Sequence, residues 1–279
     1  MIATFTCTRI EVVKLFKSKR CYVGFAGVLA FLALMVLGFI MYQADVQHQF
    51  RYQDAVKRFN GLTFATYALI YGNYMVLPIF VTLVAGAIIA SEHGEGTLRM
   101  MCTRPVDRLA IFTSKTVAAA LYTLLLFLFF QAAALAVGGV KGWGDVEMWG
   151  WPLWIVDHHT VVKESIILGR MPLALLLGSW SLMVLVALAL LLSVMTRSAV
   201  LAVVIALIIY MLSYSVGAIE LFGVLKPYLF TTHMSFWKKC FAPEIPWAWM
   251  WREIAYCGIY IFGCLTAAML IFARRDITT

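Results

Sequence analysis

Long apolar stretches alternate with short charged segments along this chain. Six of them, at 22–42, 62–90, 116–140, 171–196, 198–219 and 254–273, run 20 to 29 residues without Asp, Glu, Lys, Arg or His. At about 1.5 Å per residue, a helix of that length crosses a hydrocarbon layer roughly 30 Å thick. The apolar runs are continuous and do not alternate over about ten residues, which excludes a β-barrel. The pattern predicts an all-α polytopic membrane protein, a single transmembrane domain over 1–279. The connecting segments are too small to cover six such helices in water.

The second stretch is overlong: its 29 residues would extend about 44 Å as one helix. Tyr67, Tyr71, Asn73 and Tyr74 fall in its first part and Pro78 in its middle. A tilted or kinked helix with an outer end above the lipid is expected. The aromatic and amide side chains suit either a polar cleft between subunits or an interfacial belt. In the third stretch, Gln131 beside Ala132–Ala134 suggests close helix contact.

Before the first stretch, residues 1–20 place Ile10, Val13 and Phe16 at helical spacing and Glu11, Lys14 and Ser18 on another side. A short amphipathic helix at the cytoplasmic interface is predicted, its lysines towards lipid phosphates. The first stretch lacks a small-residue cleavage site and is not read as a signal peptide. Segments 141–170 and 220–253 are external. Trp143, Trp149, Trp151 and Trp154 crowd the former. Pro243, Pro246, Trp247, Trp249 and Trp251 in the latter suggest short re-entrant helices. Only Thr196, Arg197 and Ser198 join the fourth and fifth spans.

The chain is 63% hydrophobic and 13% charged, with a net charge of +8, and its mean hydropathy is +0.90. The basic residues are spread out and the tightest run, Lys14–Arg20, abuts the first span, which marks a topology anchor and not a nucleic-acid site. Both termini are accordingly placed in the cytoplasm of a multi-pass cell-membrane protein. Cytoplasmic segments then hold twelve of the 22 Lys and Arg, so density in short loops supports this orientation more than count does. Six cysteines without CxxC spacing read as apolar fillers.

No acid, base or histidine lies within a predicted span, which argues against an ion-coupled carrier. A Walker A loop is absent, and the fragment Ser114-Lys115-Thr116 lacks its glycines. There is no His-Glu-x-x-His motif. Asp157, His158 and His159 are adjacent, but without a third ligand no metal site is expected. The chain is therefore not read as an enzyme, and energy for any work must come from a partner.

The cytoplasmic segment 91–115 carries the most informative pattern: Glu92 with Gly96-Thr97-Leu98, then Arg104-Pro105-Val106-Asp107-Arg108 and Lys115. Gly94 and Gly96 permit a sharp exit from the second span, Thr97–Cys102 can form a short helix, and Asp107 can cap the next. This pattern resembles the permease subunits of the ABC-2 transporter family, as do the tight Thr196-Arg197-Ser198 turn and the terminal Phe272, Arg274, Arg275 and Asp276. Arg104 departs from the small residue often found before that proline.

The resemblance implies two permease subunits, expected as a homodimer, each resting on a cytosolic ABC ATPase that holds ATP and Mg2+; this chain would bind no cofactor itself. It makes Gly96–Cys102 a coupling helix, with Glu92, Glu95 and Arg99 contacting the ATPase and Pro105 and Arg108 holding the bend. Tyr67, Tyr71, Asn73, Tyr74 and Gln131 are candidates for the substrate path. Export of an amphipathic or hydrophobic substrate is the expected function. The alternatives are an ATPase-driven signalling scaffold without transport and a membrane enzyme acting on lipid.

Overall fold

The computed structural model describes residues 2–49, 60–95, 107–140, 142–148, 160–196 and 198–274. Helix α1, Ile2–Lys17, breaks at Ser18 and gives way to α2, Lys19–Gln49. Helix α3, Gly61–Tyr71, passes through a π-helical turn, Gly72–Val76, into α4, Leu77–Gly94. Helix α5, Arg108–Gly139, is followed by strands β1, Val146–Met148, and β2, Thr160–Val162. Helices α6, Glu164–Met195, and α7, Ala199–Ala218, form a hairpin. Short 3-10 turns flank α8, Phe230–His233, before α9, Trp247–Arg274.

Among the described residues, six helical segments are long and apolar enough to cross a membrane: Lys19–Met41, Gly61–Gly94, Arg108–Gly139, Glu164–Met195, Ala199–Ala218 and Trp247–Arg274. The protein is an all-α polytopic membrane protein in its spanning body. Several helices begin well before the uncharged stretches, at Arg108, Glu164 and Trp247, because helical hydrogen bonding does not stop where lipid-compatible residues do. Similarly, residues 45–49, expected in a loop, continue α2.

Helix α6 is the centre of the bundle, packing against α4, α5, α7, α9 and the 3-10 turn Phe236–Phe241. Its crossing with α4 is fixed by Ser193, whose Oγ accepts the amides of Ile89 (3.2 Å) and Ala90 (2.9 Å). Gly86 brings α4 against α7: a Cβ there would stand 2.9 Å from the Val203 side chain. The kink expected at Pro78 is a π turn. Pro78 has no N–H for the Tyr74 carbonyl four residues before it, and the Tyr210 hydroxyl of α7 donates to that carbonyl at 2.8 Å.

Between α5 and α6 the chain forms an antiparallel pair, with Val146 opposite Val162, where the sequence suggested only segments dipping towards lipid. Val146 and Val162 are buried, and β-branched residues at these positions suit a half-covered strand. The Asp145 carboxylate accepts the Glu164 amide at 2.9 Å and so starts α6.

Candidate functional site: a buried charge cluster at the α1 end

Four charged side chains meet where α1, α4 and α5 converge. Lys115, in the second turn of α5, has no solvent exposure. Its Nζ lies 2.9 Å from Glu11 Oε1 of α1 and 2.7 Å from Glu92 Oε2 of α4. Lys14 of α1 donates to Glu92 Oε1. Glu11 and Glu92 are 4% and 3% exposed, so both acids are withdrawn from water. Two acids balance two bases, and the cluster is neutral as a whole.

Buried ions are costly alone, and each is tolerated here because its neighbours compensate it. Burial by itself would lower the Lys14 ammonium. The bond to Glu92 and the fields of Glu92, Glu11 and Glu95 outweigh that and hold it above the ordinary lysine value. The consequence is mechanical: α1 is fastened to the end of α4 and the start of α5 by contacts that fail together if one charge is lost. These are the helices that flank segment 96–106. On the far side of α5, Arg108 donates to the Ala273 carbonyl at 3.1 Å and ties the start of that helix to the end of α9.

The helical facing of α1 corrects the sequence expectation. Glu11 and Leu15 point inward while Phe5, Ile10 and Val13 are exposed. Lys14, expected to face lipid phosphates, is paired with Glu92. Lys115 decides the facing, since a buried ammonium draws the acid of α1 inward. The spacing Cys7–Glu11–Leu15 was the available signal: an acid at the centre of an i, i+4 stripe that otherwise reads apolar.

Among the predicted coupling residues, Glu92 is engaged within the chain and is not at the surface, whereas Glu95 is exposed. Asp107 occupies the cap position of α5 in extended backbone, and its carbonyl accepts the Ile111 amide at 3.2 Å. Gly96, Thr97, Leu98, Arg99, Arg104 and Pro105 lie outside the described residues, as do Asp157, His158, His159, Arg197, Arg275 and Asp276.

The predicted path residues do not share one cleft. Tyr67 and Tyr71 stack at 6.3 Å on a half-exposed face. Asn73 is 3% exposed and packs against Gly178 of α6. Gln131 is fully buried, its amide 3.4 Å from both the Ala65 carbonyl and the Met171 sulfur. Tyr74 lies on the π turn facing α7, where its ring is 5.9 Å from Tyr214.

The cluster offers no nucleophile or proton relay to a substrate, and Lys115 is committed to carboxylates, so the Ser114-Lys115-Thr116 fragment has no lysine free for a phosphate. A profile described as "ABC-2 family transporter protein" matches residues 8–213. The chain belongs to the ABC-2 transporter family. The matched stretch includes Glu11, Lys14, Glu92 and Lys115, and with them every member of the cluster. The chain is also similar to the uncharacterized protein YhcI of Bacillus subtilis (strain 168), at 25% identity over 82% of this chain and 74% of that protein. Membership makes it a membrane permease component and implies partnership with an ABC ATPase.

Proposed function

We propose that this ABC-2 permease works as a homodimer on two cytosolic ATPase subunits that hold ATP and Mg2+. The α1 end faces the cytoplasm. Residues 91–115 form the coupling segment, with Glu95, Gly96, Thr97, Leu98 and Arg99 towards the ATPase and Arg104, Pro105 and Arg108 at the following bend. ATPase closure moves this segment, and the charge cluster carries the movement to α1, α4 and α5 together. The access change exports an amphipathic or hydrophobic substrate along a path that includes Tyr67, Tyr71 and Tyr74. Asn73 and Gln131 support that path from within the subunit.

The observation that carries this reading is the Glu11–Lys115–Glu92–Lys14 cluster at the root of the coupling segment. In the same reading, the exposed Phe5, Ile10 and Val13 of α1 rest in the lipid interface. The turn Phe236–Phe241, packed against α6 and α9, is re-entrant.

The test uses the complex copurified with its ATPase. Glu92→Gln, and separately deletion of 96–102, should abolish stimulation of ATP hydrolysis while the permease remains inserted. Undiminished stimulation in both variants would reject the coupling assignment.

A further inference from the structure

At the end of the bundle opposite α1, a cation stands without an acid. Lys238, in the 3-10 turn Phe236–Phe241, holds its Nζ 4.2 Å from the centre of the Tyr74 ring. Among the described residues no carboxylate pairs with it; the ion pairs there use Glu11, Glu92 and Glu253. Its neighbours Phe236, Trp237, Cys240 and Phe241 are buried and fix the turn against α6. Burial pushes the ammonium down to about 8. A ring face offsets part of that loss but leaves the other sides of the ammonium unserved.

The surroundings are equally incomplete. The Tyr74 hydroxyl is buried with Ser235 beside it and makes no hydrogen bond of normal geometry. Tyr74 sits on the π turn, a distortion that occurs often at functional sites. Tyr214 closes one side at 5.9 Å from Tyr74 and is itself 48% exposed. From there Met211 and Met75 continue an exposed apolar surface. Tyr74 and Glu92 are 18 residues apart, about 27 Å along the helix, nearly the thickness of a hydrocarbon layer. Lys238 therefore stands at the boundary opposite the charge cluster.

We propose that Lys238, Tyr74 and Tyr214 form a binding site for the anionic headgroup of an amphipath, a phosphate or carboxylate carried on an apolar chain. The ammonium takes the anion by a charge-assisted hydrogen bond, the Tyr74 hydroxyl donates to the same group, and the chain lies along Met211 and Met75. The anion arrives either as cargo, which rests on the permease reading above, or as a bilayer lipid headgroup.

The experiment measures equilibrium binding of dodecyl phosphate to the full-length chain with its ATPase, in phosphatidylcholine nanodiscs. Dodecyl maltoside and dodecyltrimethylammonium are the neutral and cationic comparisons. Dodecyl phosphate should bind at least about tenfold more tightly than either, as expected for one charge-assisted bond. Lys238→Gln should remove that margin, whereas Lys238→Arg and Lys239→Gln should keep it. Equal binding of the three amphipaths, or an unchanged margin in Lys238→Gln, would overturn the proposal.

Two arms separate the sources. Faster ATP hydrolysis with dodecyl phosphate identifies cargo. Displacement by phosphatidylglycerol with no change in ATP hydrolysis identifies a lipid headgroup, and either result supports the anion site. Failure to copurify any ATPase defeats the permease reading and leaves the binding result to stand by itself.

Discussion

The two ends of this bundle solve the same problem, holding helices together at a water boundary, in different ways. At the α1 end, Glu11, Lys14, Glu92 and Lys115 are mutually paired and almost wholly buried apart from Lys14. At the opposite end the joints are largely backbone. Arg170 spends its guanidinium on the carbonyls of Cys240, Ala242 and Pro243. Asn60 donates to the Asp145 carbonyl at 2.7 Å, and the Gly61 amide donates to Gly142 at 2.9 Å. The hydrogen bond between His233 Nδ1 and the Glu253 carboxylate, at 2.5 Å, joins α8 to α9, but among the described residues Lys238 has a ring beneath it and no carboxylate. A closed charge set suits a joint that moves as one piece, and an open cation suits a place where something else can bind.

The largest effect should follow from breaking the closed set. Lys115→Met leaves Glu11 and Glu92 buried with Lys14 as their remaining cation, and loss of one partner from a buried pair costs about 3–5 kcal/mol. The thermal midpoint of the purified chain in detergent should fall markedly, and ATPase stimulation should be lost with it. Adding Glu11→Gln should restore much of the stability, because the second change removes one uncompensated charge. If the double variant is as unstable as the single one, the cluster is not held by charge balance.

The uncharged stretches were legible because a hydrocarbon layer tolerates little else, and Glu92 and Lys115 were legible through the family pattern around Gly96-Thr97-Leu98. The burial of Glu92 was not, since its partners come from residues 14 and 115, far apart in sequence. Glu11 was read on the polar side of α1 because local periodicity assumes that acids face out; only the position of Lys115 in space reverses it. Lys238 is not legible in the sequence, because its contact with Tyr74 joins positions more than half the chain apart. The π turn was half legible: Pro78 predicted a break, but the hydroxyl that serves the orphaned carbonyl belongs to Tyr210.

At the opposite end, the corresponding weak point is steric. A Cβ on Gly61 would lie 1.8 Å from the Gly138 carbonyl oxygen, backbone against backbone, with no flexible side chain to give way. Gly61→Ala should destabilise the chain by about 1–3 kcal/mol through overpacking. The loss should appear in thermal unfolding and leave the α1 end coupled, so ATPase stimulation per folded complex should be retained. A smaller loss, about 1 kcal/mol, is expected for Tyr210→Phe, which leaves the Tyr74 carbonyl without its donor. Unchanged stability in Tyr210→Phe would mean that this carbonyl is served from elsewhere.

The smallest effect is one of pH and bears on the open cation alone. Lys238 loses its proton near 8 because burial disfavours the charged form. A bound anion favours the ammonium, so binding and protonation assist each other. The titratable group facing it is Tyr74 from the π turn, with Lys239 adjacent in the same turn and Tyr214 and Tyr210 of α7 beyond Tyr74. The second ionisation of dodecyl phosphate is largely complete by about pH 7.5, so its affinity should decline as pH rises through about 8. Lys238→Arg should abolish that decline, since a guanidinium stays charged. ATPase stimulation by the permease, which does not use Lys238, should hold steady over the same interval. A parallel loss of both would show that the two ends act as one unit, and the contrast between a closed and an open charge set would fail.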